Sequence, residues 1–456
     1  MADASSPGAS SSGASSPGHG ATVLESGGDG VTARLLTFID ASPSPFHAVE
    51  SAAAMLQAAG AKEVSRLDRW DDTTGARFVV RDGAMVAWYQ TEGLDPAAPL
   101  RLVGAHTDSP NLRIKPRPDT GQAGYRQLGV DVYGGALVNS WLDRDLGLSG
   151  RVSLVDGSAR LIRVDRPLLR VAQLAIHLDR QVEEGLVLDR QRHLTPIWGL
   201  GVPRHGELRE LLASELDIDA SAVAAWDVMC HDLTPARLLG LTGELYAASR
   251  IDNLASCHAA TEALTRVITG HEPDSVVPLV CLFDHEEVGS VSAAGAMGPL
   301  LGEVIERLVL ARGGDREDVM RALAGSWMVS VDGAHAAHPN YLERFEPEHL
   351  VSLNGGPVIK SNANVRYASD APGIAMFRAV CDKAGVPVQQ YVHRSNLPCG
   401  STIGPLTAAN LGVATVDVGS PQLSMHSARE LMGAADAALY RTALTAFLDN
   451  SPTRVH

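Results

Sequence analysis

The 456-residue chain has only five cysteines, Cys230, Cys257, Cys281, Cys381 and Cys399, and no two of them form a CxxC pair. An odd, scattered set argues against a disulfide framework or a thiolate zinc knuckle. Buried, reduced thiols in a cytoplasmic protein are expected instead. Long apolar runs are also missing: no stretch approaches the roughly 18–20 residues that span a bilayer. Basic residues are few, 38 Lys and Arg against 53 Asp and Glu, for a net charge of −15. That balance argues against nucleic acid or anionic membranes as partners and still allows a locally basic pocket. No GxSxG elbow, Walker A loop or Rossmann GxGxxG is found, nor any repeat of solenoid period.

What is present is an ordinary globular composition, 45% hydrophobic and 20% charged, in a chain long enough for two or three structural units. The first residues, MADASSPGASSSGASSPGHG, carry no basic or apolar signal segment. Their Ser, Gly, Ala and Pro bury too little surface to order, so 1–31 is expected to be a disordered tail. Ser44 is placed to cap a helix with Pro45 at its first position and Gly60 past its end. ARFVVRDGAMVAWYQT reads as a hairpin turning at Asp82-Gly83, and PLRLVGAHTDSP as an apolar strand running into polar residues.

Between about 110 and 240 the texture changes to short alternating runs with Gly turns, which predicts an inserted β-rich domain. Beyond it, helices such as NLASCHAATEALTRVITG and LLGEVIERLVLARGG alternate with buried strands such as SVVPLVCLFD, SWMVSVD and VATVDVG. The final helix is expected over ARELMGAADAALYRTALTAFLDN. The pattern predicts an α/β protein, 32–109 and 241–456 forming a helix-layered sheet around the insertion at 110–240.

The informative polar residues fall at strand ends, where open α/β sheets bind ligands. His106 follows RLVGA, Glu286 and Glu287 follow LVCLF, Asp332 ends WMVSV, and His426 lies beyond VATVDVG. Asp252 sits where a helix starts, and as an isolated residue it reads equally as a cap. Imidazole and carboxylate without thiolate suit zinc, manganese or cobalt. Two His and three carboxylates exceed what one catalytic zinc takes, so two ions sharing a bridging carboxylate fit better. Asp108, two residues past His106, can accept the imidazole's other N–H. In the Glu286-Glu287 pair the side chains diverge, so Glu287 can ligate while Glu286 acts as general base on the attacking water. PCGSTIG, which holds Cys399, reads as a turn-rich segment lining a pocket.

GAHTDSPNLRIKP, YGGALVNSWLDRDL, SRIDNLAS, FDHEEVGS, DGAHAAHPNY, GGPVIKSNANVRYASD and MHSARE, in that order from about 32 to 450, resemble the aspartyl aminopeptidase family of dinuclear zinc exopeptidases. The resemblance implies a zinc-aminopeptidase-like three-layer catalytic domain interrupted by a β-rich dimerisation domain. It further implies assembly into a tetrahedral homododecamer acting on peptides. It assigns His106, Asp252, Glu287, Asp332 and His426 as metal ligands with Asp252 bridging, Glu286 as the base, and Asp108 as the residue that orients His106. His177, in LAIHLDR, is implied to reach a neighbouring subunit's active site as a substrate or metal contact; otherwise it is a buried residue on the strand VAQLAIHL.

Acidic N-terminal residues are the typical substrates of such proteins, though some relatives favour Leu. Lys360 and, second, Arg366 are the candidates for holding an acidic side chain, or else are structural ion-pair partners. His335, in HAAHP, is a further substrate or metal candidate, or simply part of a loop. Two other readings stand beside the aminopeptidase: a dinuclear deacylase or carboxypeptidase on the same core, and a self-assembling shell without catalysis.

Overall fold

The computed structural model describes residues 30–270, 273 and 275–449. The expected tail therefore lies outside the described residues except for Gly30 and Val31, and Val31 is already buried in the helix Val31–Ala41. A twelve-stranded mixed sheet forms the base of the molecule. Its centre is four mutually parallel strands in the spatial order Val277–Phe283, Leu100–His106, Trp327–His335 and Ala414–Leu423. Every residue of the first two is buried. Near-continuous apolar runs are what strands covered on both faces require, and here Arg101 and the terminal His106 are the charged or titratable residues within them.

Helices supply those covers. Val31–Ala41, Pro45–Ala58, Ile251–Thr269, Ala371–Ala384 and Asp436–Asp449 share one apolar core with the sheet. Leu300–Ala311 and Ile403–Leu411 pack on a second, separate core. The result is three layers, helix, sheet, helix. Local chemistry sets the helix ends: Ser44 Oγ accepts from His47 N–H, with Pro45 at the first turn. Asp315 and Asp318 form a reciprocal capping box on Arg316–Gly325. The Gly75–Arg81 and Ala84–Gln90 strands pair as the expected hairpin about Asp82-Gly83.

A separate six-stranded antiparallel sheet runs in the order 159–169, 146–154, 223–232, 111–122, 125–133 and 197–200. It has its own apolar core, closed by the helix Glu207–Glu215. The protein is thus a helix-layered α/β structure carrying a second, β-rich unit.

The C-terminal reading requires one correction. Glu430–Gly433, read as the start of the last helix, is a strand paired with Leu245–Ala248 and with the end of Ala414–Leu423. The helix begins at Asp436. Ala, Glu, Leu and Met favour helix locally, but two flanking strands offer this segment long-range hydrogen bonds that override the preference.

The two helical covers meet on the central strands, so truncating there leaves a cavity between rigid layers. Leu282, fully buried in the larger core, is expected on mutation to Ala to cost about 2–5 kcal/mol. A thermal-melt comparison with the parent protein checks this, and an unchanged midpoint would contradict the packing described.

Candidate metal centre

The parallel strands deliver their polar residues to one edge. His106 is the last residue of its strand, Asp332 lies within Trp327–His335, and Glu286 and Glu287 form a short 3-10 turn beyond Phe283. His426 follows Leu423 in a left-handed conformation, φ 68°. Asp252 opens the long helix Ile251–Thr269 but is not helical itself (φ −81°, ψ 104°). That departure turns its carboxylate out of the helix and toward the sheet edge.

Two trios result. His106, Asp252 and Asp332 form one; Asp252, Glu287 and His426 form the other; within each, ligand-type atoms lie within 4.8 Å of one another. His106 Nε2 is 3.3 Å from Asp252 Oδ1 and 3.4 Å from Asp332 Oδ1. His426 Nε2 is 3.6 Å from Asp252 Oδ2 and 3.4 Å from Glu287 Oε2. Asp252 thus presents one oxygen to each trio. Its Oδ1 and Glu287 Oε1 are buried with no hydrogen-bond partner among the described residues. Buried carboxylate oxygens without donors are costly, and cations at these positions would satisfy them. Hard oxygen and imidazole donors in this mixture fit zinc.

Electrostatics point the same way. Burial, followed by the carboxylates of Asp332, Asp108 and Asp252, pushes Glu286 up to about 8, with His106 acting in the opposite direction. Burial first and Asp252 next raise Glu287 well above the carboxylate range. Burial opposes a charge on His426, yet Asp252, Glu287 and Glu430 lift it to about 10. Negative groups here crowd one another and draw in positive charge.

Asp108 organises this edge. It is fully buried and accepts from Tyr133 Oη at 2.7 Å and from the backbone N–H of Glu286 and Glu287 at 3.1 Å each. His106 Nδ1 lies 3.4 Å from its carboxylate and 3.0 Å from its backbone carbonyl. Burial raises the Asp108 carboxyl, but these donors outweigh burial and hold it below the ordinary value.

Three contributors escaped the sequence reading: Tyr133, the glycine pair Gly134-Gly135, and Glu430. Tyr133 comes from the six-stranded sheet, its ring under Arg113 at 3.8 Å. Gly135 accepts through its carbonyl from His426 Nδ1 at 3.2 Å, and a Cβ there would stand 3.0 Å from the same nitrogen. Gly134, at φ +71°, is packed equally closely on Glu287. The paired glycines in YGG were the available signal: no side chain fits against two ligand residues at once. The third, Glu430, accepts from the backbone N–H of both Asp252 and His426.

The remaining candidates are more dispersed. Lys360 is buried, its Nζ donating to Gly333 O at 3.0 Å and lying 3.5 Å from Asp332 Oδ2, beside the Tyr367 ring. His335 ends its strand near Tyr391 and His393, with burial and then Lys360 depressing it to about 4. Arg366 is on an exposed turn. His177 is neither buried nor on a strand; it is exposed in an irregular segment with Leu174, Ile176 and Leu178. Val171 of VAQLAIHL is buried, but Leu174, Ile176 and Leu178 face outward in the single chain instead of lying on the expected buried strand. All five cysteines are free, and none is among the ligand trios. No helix of the described residues is long and apolar enough to cross a membrane.

A largely buried cluster of imidazole and carboxylate ligand atoms is the arrangement that metal-dependent hydrolases use. The family model described as Aminopeptidase I zinc metalloprotease (M18) matches residues 38–448. A probable M18 family aminopeptidase 2 of Streptomyces avermitilis is 55% identical over 422 residues, 92% of this chain and 98% of that protein. Its Mycobacterium tuberculosis counterpart is 51% identical over 421 residues, 91% and 97% of the two chains. Among solved structures, one described as the Ape4 and Nbr1 complex matches with TM-score 0.88 and 36% identity, over 92% of this chain and 85% of that one. The mApe1 dodecamer of S. cerevisiae matches with TM-score 0.81 and 26% identity, over 91% and 96%. The chain belongs to the M18 family of zinc metalloproteases and is a zinc-dependent aminopeptidase.

Gly135→Ala should push His426 out of line and lower zinc content while the fold persists. Atomic absorption on the purified variant checks this; parental zinc content would count against the close approach.

Proposed function

We propose that the enzyme removes N-terminal acidic residues from peptides, using two divalent cations and Glu286 as general base. Zinc is the first choice of metal, with manganese or cobalt as alternatives. The observation that carries the reading is the pair of trios joined at Asp252, with a buried, unpartnered oxygen in each of the two carboxylates Asp252 and Glu287. His106, Asp252 and Asp332 would hold one ion; Asp252, Glu287 and His426 the other. Bound there, the cations supply Lewis acidity and make water acidic enough to lose a proton near neutral pH.

The residues supply the rest. Glu286 is in neither trio, and its turn is held by Asp108. It accepts the proton of the attacking water and delivers it to the departing amine. Glu286→Gln should lower kcat by roughly 10²–10⁴-fold with zinc content unchanged; retained turnover of an aspartyl p-nitroanilide refutes the role. A base works only when ionised. Activity should therefore fall as pH falls through the ionisation of Glu286, and the acid limb of the kcat/KM profile should vanish in the Gln variant.

Lys360 is the residue that supports acidic preference, a buried ammonium beside Asp332 at the edge of one trio. Arg366, on its exposed turn, is the second candidate, and His335 lines the same side. A panel of Asp, Glu and Leu aminoacyl substrates tests this. Lys360→Met should collapse the ratio of acidic to neutral turnover; a ratio that stays put, or favours Leu in the parent, removes the acidic assignment. Cleavage of N-blocked peptides alone would point to a deacylase or carboxypeptidase.

We assign residues 32–109 and 241–456 to catalysis and 110–240 to an inserted dimerisation unit, supported by the six-stranded sheet and its separate core. A homododecamer is supported by the mApe1 relative described as such and by the exposed apolar side chains around His177. In that assembly His177 would contact a neighbour's active site. Free, mostly buried thiols support a cytoplasmic setting.

A further inference from the structure

Glu430 touches none of the ligand atoms, yet it grips the main chain of two ligand residues. Its side chain is buried at the start of the Glu430–Gly433 strand. Oε2 accepts from the backbone N–H of Asp252 at 3.0 Å and Oε1 from that of His426 at 2.7 Å. Both amides need an outside partner. Asp252 is non-helical at the mouth of its helix, so its N–H has no turn to join. His426 has positive φ, a conformation that non-glycine residues adopt at a cost.

Opposing contacts hold the other side of each residue. Ser109 Oγ donates to the Asp252 carbonyl at 2.6 Å, and Leu137 N–H donates to the His426 carbonyl at 3.0 Å. Each ligand residue is therefore fixed at both its N–H and its C=O, and Glu430 is the partner common to the two.

We propose, building on the two-ion reading above, that Glu430 is a positioning residue that locks Asp252 and His426 into one spacing and so sets the affinity of the second cation site. Asp252 serves both trios, but His426 serves only the one with Glu287. Loss of the grip thus acts mainly on that ion. Glutamine at this position has one acceptor oxygen and one donor nitrogen for two facing N–H groups, so one amide must lose its partner. Aspartate keeps the charge but is too short to span both amides.

The test follows zinc retention in the zinc-loaded, full-length protein against a graded chelator, with folding verified by circular dichroism and gel filtration. Asp436→Asn is the matched control. Asp436 is an equally buried carboxylate that accepts from two backbone amides, those of Asn354 and Gly356, away from the metal centre. Outer partners of metal ligands typically contribute roughly 10–100-fold in metal affinity. Glu430→Gln should release one of two zinc ions at a chelator concentration lower by that factor, Glu430→Asp should fall between it and the parent, and Asp436→Asn should retain both ions. Parental retention by the folded Gln and Asp variants overturns the proposal, as does equal loss in Asp436→Asn. A parent protein that holds fewer than two zinc ions defeats the two-ion reading itself, a result distinguishable from failure of the clamp because it appears before any substitution.

Discussion

Repulsion between carboxylates gathered at one edge of the sheet is the constraint on which this structure turns. Asp108, Asp252, Asp284, Asp332 and Glu430 are all buried, and Glu286 and Glu287 stand beside them. Charges so placed persist only when each finds donors or cations. The protein divides the task. Asp108 and Glu430 are met by hydrogen-bond donors, chiefly backbone N–H groups, whereas Asp252 and Glu287 each keep one buried oxygen with no hydrogen-bond partner among the described residues. The first kind organise the chain and the second await positive charge.

This division explains how loops from distant parts of the sequence hold a fixed geometry. Parallel strands bring His106, the Glu286-Glu287 turn, Asp332 and the His426 segment to the same edge, but a strand end alone leaves the following residues loose. Asp108 ties the His106 segment to the Glu286-Glu287 turn, and Glu430 ties Asp252 to His426. Asn253 Nδ2 adds a third tie, to the Val331 carbonyl beside Asp332 at 2.9 Å. The strand Tyr125–Tyr133 and the loop after it reach the cluster through Tyr133, Gly135 and Leu137, so the second unit helps to build the site as well as extending from it.

Strand-end polar residues were legible because the doubly covered strands are mostly apolar, so a charged or imidazole residue at or just beyond the end of one is conspicuous. The donor types then named the chemistry. What stayed hidden depends on long-range pairing or on backbone atoms. ARELMG has helical composition, and only its strand neighbours turn Glu430 inward. Tyr133 is one aromatic among several in an alternating segment, with nothing local to mark its reach to Asp108. The helix at Asp252 was visible in sequence, whereas its non-helical first residues were not. Around His177 a buried strand was expected, but in VAQLAIHL only Val171 makes a β-bridge, and the residues after it form no strand.

On the proposed reading, Lys360 would serve structure and specificity with one cation. Its ammonium has three donors and no acceptor. One goes to the Gly333 carbonyl at 3.0 Å, and Asp332 Oδ2 lies 3.5 Å away. On the proposed reading, a substrate carboxylate would take the remaining donor and compete with Asp332 for the same charge. Selectivity would then be coupled to the metal centre, since drawing Lys360 toward substrate leaves Asp332 more fully negative toward its cation. A neutral substrate side chain makes no such demand. On that reading the pocket would separate acidic from neutral residues through charge redistribution at Asp332 as well as by direct contact, and the side chain proposed to read the substrate would also modulate a group proposed to bind the metal.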